Sequence, residues 1–198
     1  MRVAMMLYAG FQMLEVTGPM DVFRQANQVH GSTLYEPHLI GLSAGPVVCS
    51  NGTAVTATEA LSDAHAPFDI VMVPGSPAGG LQRGHREFVE WLRATGRRAR
   101  KVASVSNGAW LLARAGLADH RWMTTHWHDA VPLAKAHPWV HVMSDLSCLQ
   151  DGNLYSSSGV SGGIHLALAL VREDLGAGVT AHIARALQGG PEVAHCGP

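Results

Sequence analysis

The chain has 198 residues, 47% of them hydrophobic and 15% charged, the balance of one compact domain and not of a disordered or charge-patterned chain. Fourteen Lys and Arg against fifteen Asp and Glu leave a formal charge of −1, which excludes the broad basic field that gathers nucleic acid or anionic lipid. The apolar runs are strand- or helix-sized, and the start MRVAMMLYAGF lacks the basic–apolar–small order of a signal peptide, so a cytoplasmic domain with no membrane partner is expected. Three cysteines (Cys49, Cys148, Cys196) with no CxxC pair point to neither a disulfide framework nor a zinc knuckle. His126 and His128 stand two apart in TTHWH, but the local sequence supplies no third ligand, so no metal and no cofactor is expected.

In chain order, Val3 to Tyr8 is continuously apolar, as a strand buried on both faces should be. Thr17-Gly18-Pro19 reads as a helix start, Thr17 capping and Pro19 in the first turn. Met20, Phe23, Ala26 and Asn27 carry the helical stripe, and Gly31 ends it. Leu39 to Leu42 is a second strand, and Asn51-Gly52 between two β-prone runs predicts a hairpin. Phe68 to Val73 is a buried strand stopped by the turn Pro74-Gly75-Ser76-Pro77. Phe88, Trp91, Leu92 and Thr95 mark a helix ending near Gly96. Val102 to Val105 is a strand, Gly108 to Ala115 a helix closed by Gly116, a small β-rich patch follows Val140 to Ser157, and Val160 to Asp174 and Thr180 to Gln188 are two closing helices. Alternating strands and helices predict an α/β fold of the flavodoxin-like three-layer kind: a mostly parallel sheet, helices on both faces, and a small β-hairpin. Ligands of such sheets sit beyond the carboxyl ends of the strands, which selects Gly10 to Glu15, Gly75 to Gly80, Ser106-Asn107 and the neighbourhood of His126.

VASVSNGAW is the segment that bears most on chemistry. Ser104-x-Ser106-x-Gly108 nearly matches the G-x-S-x-G of a nucleophile elbow, in which a strained strand-to-helix turn exposes one side chain above the sheet. Ser106 there is either an elbow residue or a helix N-cap, for which serine is equally suited. The N–H groups of Asn107 and of the Gly75-Ser76 turn could pair on an anion. Glu15, in the apolar setting MLEVTG, is either a carboxyl kept neutral by desolvation or an acid favoured by the start of a helix. His126 is either a general base or ligand contact, or a half-buried histidine satisfied by backbone.

The run SVSNGAWLLARAGLADHRWMTTHW resembles the elbow signature S-V-C-T-G-x-x-x-L-A-x-A-G-L-L-x-G-x-x-x-T-T-H-W of the ThiJ/PfpI superfamily, with its class I glutamine amidotransferase-like fold. YAGFQMLEVTGPMDVF, DIVMVPGSPAGG and DGNLYSSSGVSGGIHLALALV match in the same order, so the resemblance covers residues 1 to 188. It implies that Ser106 stands where the family has its nucleophilic Cys and Glu15 at the family's acidic residue. It likewise places Gly75 and Asn107 at the oxyanion-hole turns and His126 at the elbow-distal His. Two residues depart from the pattern. A hydroxyl lacks the partial ionisation of a thiol, and His165 replaces the Asp usual in the late G-x-x-x-G-I-D segment.

The second half is most similar to the amidotransferase-like N-terminal domain of AraC-type transcriptional regulators, many of which have lost the elbow Cys. After Gln188 only GGPEVAHCGP follows, so residues 1–188 are expected to form the domain and 189–198 a tail, the DNA-binding helix-turn-helix pair being absent from this chain. RRARK at 97–101 is the one basic cluster and is expected to complement a helix C-terminus and not to bind DNA. The expectation is a small-molecule-sensing domain with Ser76, Gly75, Asn107 and Gly108 at the ligand and no direct nucleic-acid contact. The alternative is an isonitrile hydratase-like or PfpI-type hydrolytic enzyme using Ser106 with Glu15 and His126. The family's habit and an exposed apolar helix around Trp91 imply a homodimer.

Overall fold

The computed structural model describes residues 1–65, 67–77 and 86–187. The main sheet has seven strands in the order β10-β11-β7-β6-β1-β2-β5. These are β1 (Arg2–Met6), β2 (Glu36–Gly41), β5 (Glu59–Ala60), β6 (Ile70–Val73), β7 (Lys101–Val105), β10 (Cys148–Asp151) and β11 (Leu154–Ser157). All pair in parallel except β10, which runs antiparallel to β11 at one edge. The central strands β1, β6 and β7 are almost wholly buried, as their unbroken apolar runs require.

From β1 the chain moves through α1 (Met13–His30) to β2 on one side, and from β6 through α2 (Arg86–Gly96) to β7 on the other. Right-handed crossovers in opposite directions put these helices on opposite faces, and the order of connection reverses between β1 and β6. That reversal opens a crevice above the carboxyl ends of β1, β6 and β7. Helix α1 packs on α5 (Gly162–Ala186), and α3 (Ala109–Arg114) packs on α2. The remaining elements are the hairpin β3 (Gly45–Val48) with β4 (Ala54–Ala57), the parallel pair β8 (Trp122–Thr124) with β9 (His141–Met143), and α4 (Trp127–Ala136).

The hairpin turns where Asn51-Gly52 placed it, with Gly52 at φ +87°. Gly31 caps α1 at φ +76°, its N–H donating to Asn27 O. The two closing helices form one run broken at Gly176 (φ +83°, ψ 170°), and the position Gln188 lies outside the described residues. One reading is corrected: α1 begins at Met13 with Gln12 before it, not at Thr17. Thr17 Oγ1 donates back to Met13 O at 3.1 Å, a bond made inside a helix, and Pro19 lies in the interior. Tertiary contact explains it. A side chain at Gly18 would run into Ile164 of α5, and one at Gly163 would press on Pro19. Gly18 and Pro19 are thus the point where α1 and α5 cross, and that contact offsets the lost backbone bond.

Other expectations are corrected by side-chain contacts. Trp91 is half-buried, its Nε1 donating to Ala64 O at 2.9 Å, so α2 does not present it as an exposed face. The exposed indoles are instead Trp122, Trp127 and Trp139. The RRARK segment does not serve a helix end throughout. Lys101 Nζ lies 3.0 Å from Glu173 Oε2 and 3.2 Å from Asp174 Oδ1, and Arg100 reaches Asp69 at 3.7 Å. Cys49 is a buried free thiol, but Cys148 is disulfide-bonded, since an odd cysteine count still leaves room for one pair.

Candidate functional site

Three loops converge above the sheet. Strand β7 delivers Ser106 into a short 3-10 turn (Ser106–Gly108) that leads into α3. Ser106 holds φ +53°, one of two non-glycine residues in the left-handed region among those described, a conformation that costs a side-chain-bearing residue about 1 kcal/mol or more. The turn makes no side-chain cap hydrogen bond, its cap positions being Val105 and Gly108, so Ser106 sits on the strand-to-helix turn without acting as an N-cap. The elbow closes tightly because position 108 has no side chain: a Cβ there would strike Val73 O and lie 2.8 Å from Pro74 O. From behind, Thr125 Oγ1 donates to Ser106 O at 2.9 Å, fixing the strained peptide.

Glu15 reaches in from the first turn of α1 and is 1% exposed. Its Oε2 accepts the Gly75 N–H at 2.5 Å, and its carboxyl shares a hydrogen bond with the Ser106 hydroxyl. Desolvation is the dominant influence and raises the carboxyl to about 8, although the Gly75 and Ser106 bonds pull the other way. At neutral pH Glu15 is therefore mainly a protonated acid and a hydrogen-bond donor. Tyr8 closes the back of the site, its hydroxyl donating to Pro74 O at 2.5 Å, and burial followed by the nearby Glu15 raises that phenol.

The turn after β6 is held by two side chains from elsewhere. Asn107 accepts the Ser76 N–H at Oδ1 and donates from Nδ2 to Ser76 O, both at 2.8 Å. The turn's half of the expected anion-binding pair is corrected here: the Gly75 N–H is taken by Glu15 and the Ser76 N–H by Asn107. Gly75 allows the approach, because a Cβ there would press on Asn107 and on Glu15 Oε2 at 3.0 Å.

These groups floor a cavity of about 350 Å³ walled by Gln12, Pro77, His126, His128, Asp129 and Val160. Of the residues anticipated from sequence, Glu15, Ser76, Ser106, Asn107 and His126 line it, whereas Gly75 and Gly108 are close-packing positions beneath it. His126 caps α4, its Nδ1 accepting from His128 N at 3.4 Å and lying 3.9 Å from Asp129 Oδ2. At Nδ1 its contacts are thus directed along its own helix. Asp129 was missed in the sequence. It is anchored by Trp110 Nε1 at 2.9 Å, and its i+3 spacing from His126 was the available signal. Among the described residues no group of three or more His, Cys, Asp or Glu is placed to hold a metal.

The family model for "DJ-1/PfpI family" matches residues 1–173. The chain belongs to the DJ-1/PfpI family. An isonitrile hydratase of Pseudomonas putida is 31% identical over 178 residues, 89% of this chain and 73% of that protein. The HTH-type transcriptional regulator GbdR of Pseudomonas aeruginosa is 31% identical over 182 residues, covering 91% of this chain and 48% of its own length. This DJ-1/PfpI chain thus spans about half of that regulator. The crystal structure of an AraC family transcriptional regulator from Pseudomonas putida superposes with a TM-score of 0.83 at 25% identity, covering 94% of this chain and 98% of that one. The flavodoxin-like α/β architecture is common to these DJ-1/PfpI folds, and no described helix is long and apolar enough to cross a membrane.

Proposed function

We propose that residues 1–188 form a small-molecule-binding domain of the kind associated with AraC-type regulation, with 189–198 as a tail, and that it senses its ligand without turning it over. The observation that carries this reading is the pairing at the elbow: the Ser106 hydroxyl is hydrogen-bonded to a carboxyl that burial keeps protonated. A protonated acid cannot accept the hydroxyl proton, and His126 accepts at Nδ1 from its own helix, so among the described residues no group hydrogen-bonded to Ser106 raises its nucleophilicity. The pocket is otherwise well built for binding: concave, mixed in polarity, and of the size that small ligands use. In this reading the domain acts in the cytoplasm as a homodimer and transmits occupancy of the pocket to a DNA-binding partner or segment.

A second reading has its own support, the 31% identity to an isonitrile hydratase. An acid held neutral beside a hydroxyl could protonate the terminal carbon of an isonitrile while water adds to it, giving an N-substituted formamide. Assay of the chain, Ser106→Ala and Ser106→Cys on alkyl isonitriles separates the two readings. The sensing reading expects no turnover by the native chain. Turnover that disappears in Ser106→Ala would establish the enzyme instead.

A further inference from the structure

We propose that the chain holds a second ligand site, away from the elbow, between the β8–β9 pair and the edge strand β10, and that it takes a flat aromatic group against Trp122.

Strand register builds the cavity. Trp122 pairs with His141 and Thr124 with Met143 across β8 and β9, so Trp122, His141 and Met143 stand on one face of the pair. The His141 ring lies against the indole, centroids 4.9 Å apart and 34° between the planes, which fixes the position of the larger ring. Thr124 Oγ1 donates to Leu146 O at 2.9 Å and draws the loop after β9 over the same face. Leu146 and the buried Leu149 then line a cavity of about 380 Å³ together with Trp122, Met143, Gln150, Asp151 and Gly152. That volume is within the range small-molecule pockets use. Trp122 is still 50% exposed and Met143 36%, so the apolar lining is open to an entering molecule.

The lining also selects what enters. Gln150 and Asp151 make their bonds within the protein. Asp151 Oδ1 lies 3.3 Å from Arg121 Nε and its Oδ2 accepts the Trp122 N–H at 2.7 Å, while Gln150 Nε2 donates to Gly152 O at 3.2 Å and to Tyr155 Oη at 2.8 Å. What they leave open is an indole, a thioether and two leucines. Ring stacking on the indole and sulfur contact at a ring edge both favour an aromatic occupant over an aliphatic one of equal size. A second protein chain is a poorer match. Ser144, Asp145, Ser147 and Asn153 around the cavity are exposed and polar. Two partly exposed apolar side chains inside that border do not make the roughly 800 Å² per partner that a stable interface buries.

Ligand-observed NMR titration of the full chain with 2-naphthol and its saturated counterpart, decahydro-2-naphthol, tests the site. The aromatic probe is expected to bind at least about threefold tighter. Trp122→Ala should weaken 2-naphthol by about tenfold. Trp127→Ala, which removes a 70% exposed indole on α4 outside this cavity, should leave its affinity unchanged. Should Trp122→Ala not fold, Met143→Ala should still weaken 2-naphthol severalfold, and an unchanged affinity there overturns the proposal. Binding that survives Trp122→Ala, or that is lost in Trp127→Ala, places the probe elsewhere and overturns it as well. Equal affinity for the two probes, or binding of neither, has the same force. So does a dimer of the native chain that dissociates in Trp122→Ala, since the cavity would then belong to an interface between copies. None of these results touches the elbow pocket, whose lining shares no residue with this one.

Discussion

The two ends of the same sheet hold two buried polar clusters built on opposite principles. At the amino end of β7, Lys101 lies against Glu173 and Asp174, Tyr155 donates to both Glu173 oxygens at 2.7 and 2.8 Å, and Tyr35 donates to Asp174 at 2.9 Å. Every charge there has a partner, and burial together with the carboxylates raises both phenols so that they stay neutral donors. At the carboxyl end, four or five residues along, an acid is buried without a cation, a hydroxyl is unpaired, and Ser106 sits at positive φ. A fold can satisfy its polar groups at either end of its strands, and the unsatisfied end is the one to which the proposed function assigns a ligand.

The largest expected effect comes from the uncompensated acid. Because the folded chain holds the Glu15 proton up to about pH 8 whereas an unfolded glutamate loses it near 4.5, the folded state binds more protons throughout that window. Stability therefore falls as pH rises from about 4.5 to about 8, by a total on the order of 5 kcal/mol, and levels off above it. Glu15→Gln cannot ionise and should remove this slope, so urea denaturation of both proteins across the window checks it. Equal slopes in the two would show that Glu15 is ionised in the folded chain and that the ends of the sheet do not differ as described.

Next comes the close packing beneath the pocket. Gly108→Ala sets a methyl against the carbonyls of Val73 and Pro74, backbone atoms that cannot swing away. A loss of about 3 kcal/mol is expected, together with loss of binding in the cavity. Lys101→Met at the opposite end leaves two carboxylates facing each other. Solvent reaches Glu173, whose side chain is 37% exposed, so the cost is smaller than for a sealed pair, about 2 kcal/mol. Binding in the pocket should be unaffected by it. If the Lys101 variant alters binding in the cavity as strongly as the Gly108 variant, the two clusters are coupled through the sheet and not independent.

Local pattern made much of this legible. The unbroken apolar runs located β1, β6 and β7, Asn51-Gly52 located the hairpin, and a serine between a buried strand and a glycine-bearing helix start located the strand-to-helix turn. What stayed hidden was decided by distant residues. The donors of the β6 turn are occupied from 60 and 31 positions away in sequence, and nothing near Gly75 or Ser76 announces it. Thr17-Gly18-Pro19 reads as a helix start because its propensities are those of one. Only the crossing with α5 makes a small residue and a proline favourable in mid-helix. Lys101 looks like the end of a basic cluster until Glu173 and Asp174, more than seventy residues on, come to lie against it.

The smallest effect isolates the strain at the elbow, and the molecule supplies its own control. His120 also holds a left-handed conformation, φ +58°, but in an exposed turn where its N–H donates to Trp139 O. His120→Gly relieves that conformation and gives up only the ring contact with Trp139 at 5.4 Å, so it should gain up to about 1 kcal/mol. Ser106→Gly relieves the same strain, yet it also removes the hydroxyl that shares a hydrogen bond with Glu15 and leaves that buried carboxyl a partner short. The two terms are each about 1 kcal/mol and opposed, so its melting temperature should stay close to that of the native chain. A gain in Ser106→Gly matching that in His120→Gly would mean that the bond to Glu15 contributes nothing to folding. A loss well beyond 1 kcal/mol would mean that the hydroxyl holds the acid in place more strongly than one ordinary hydrogen bond.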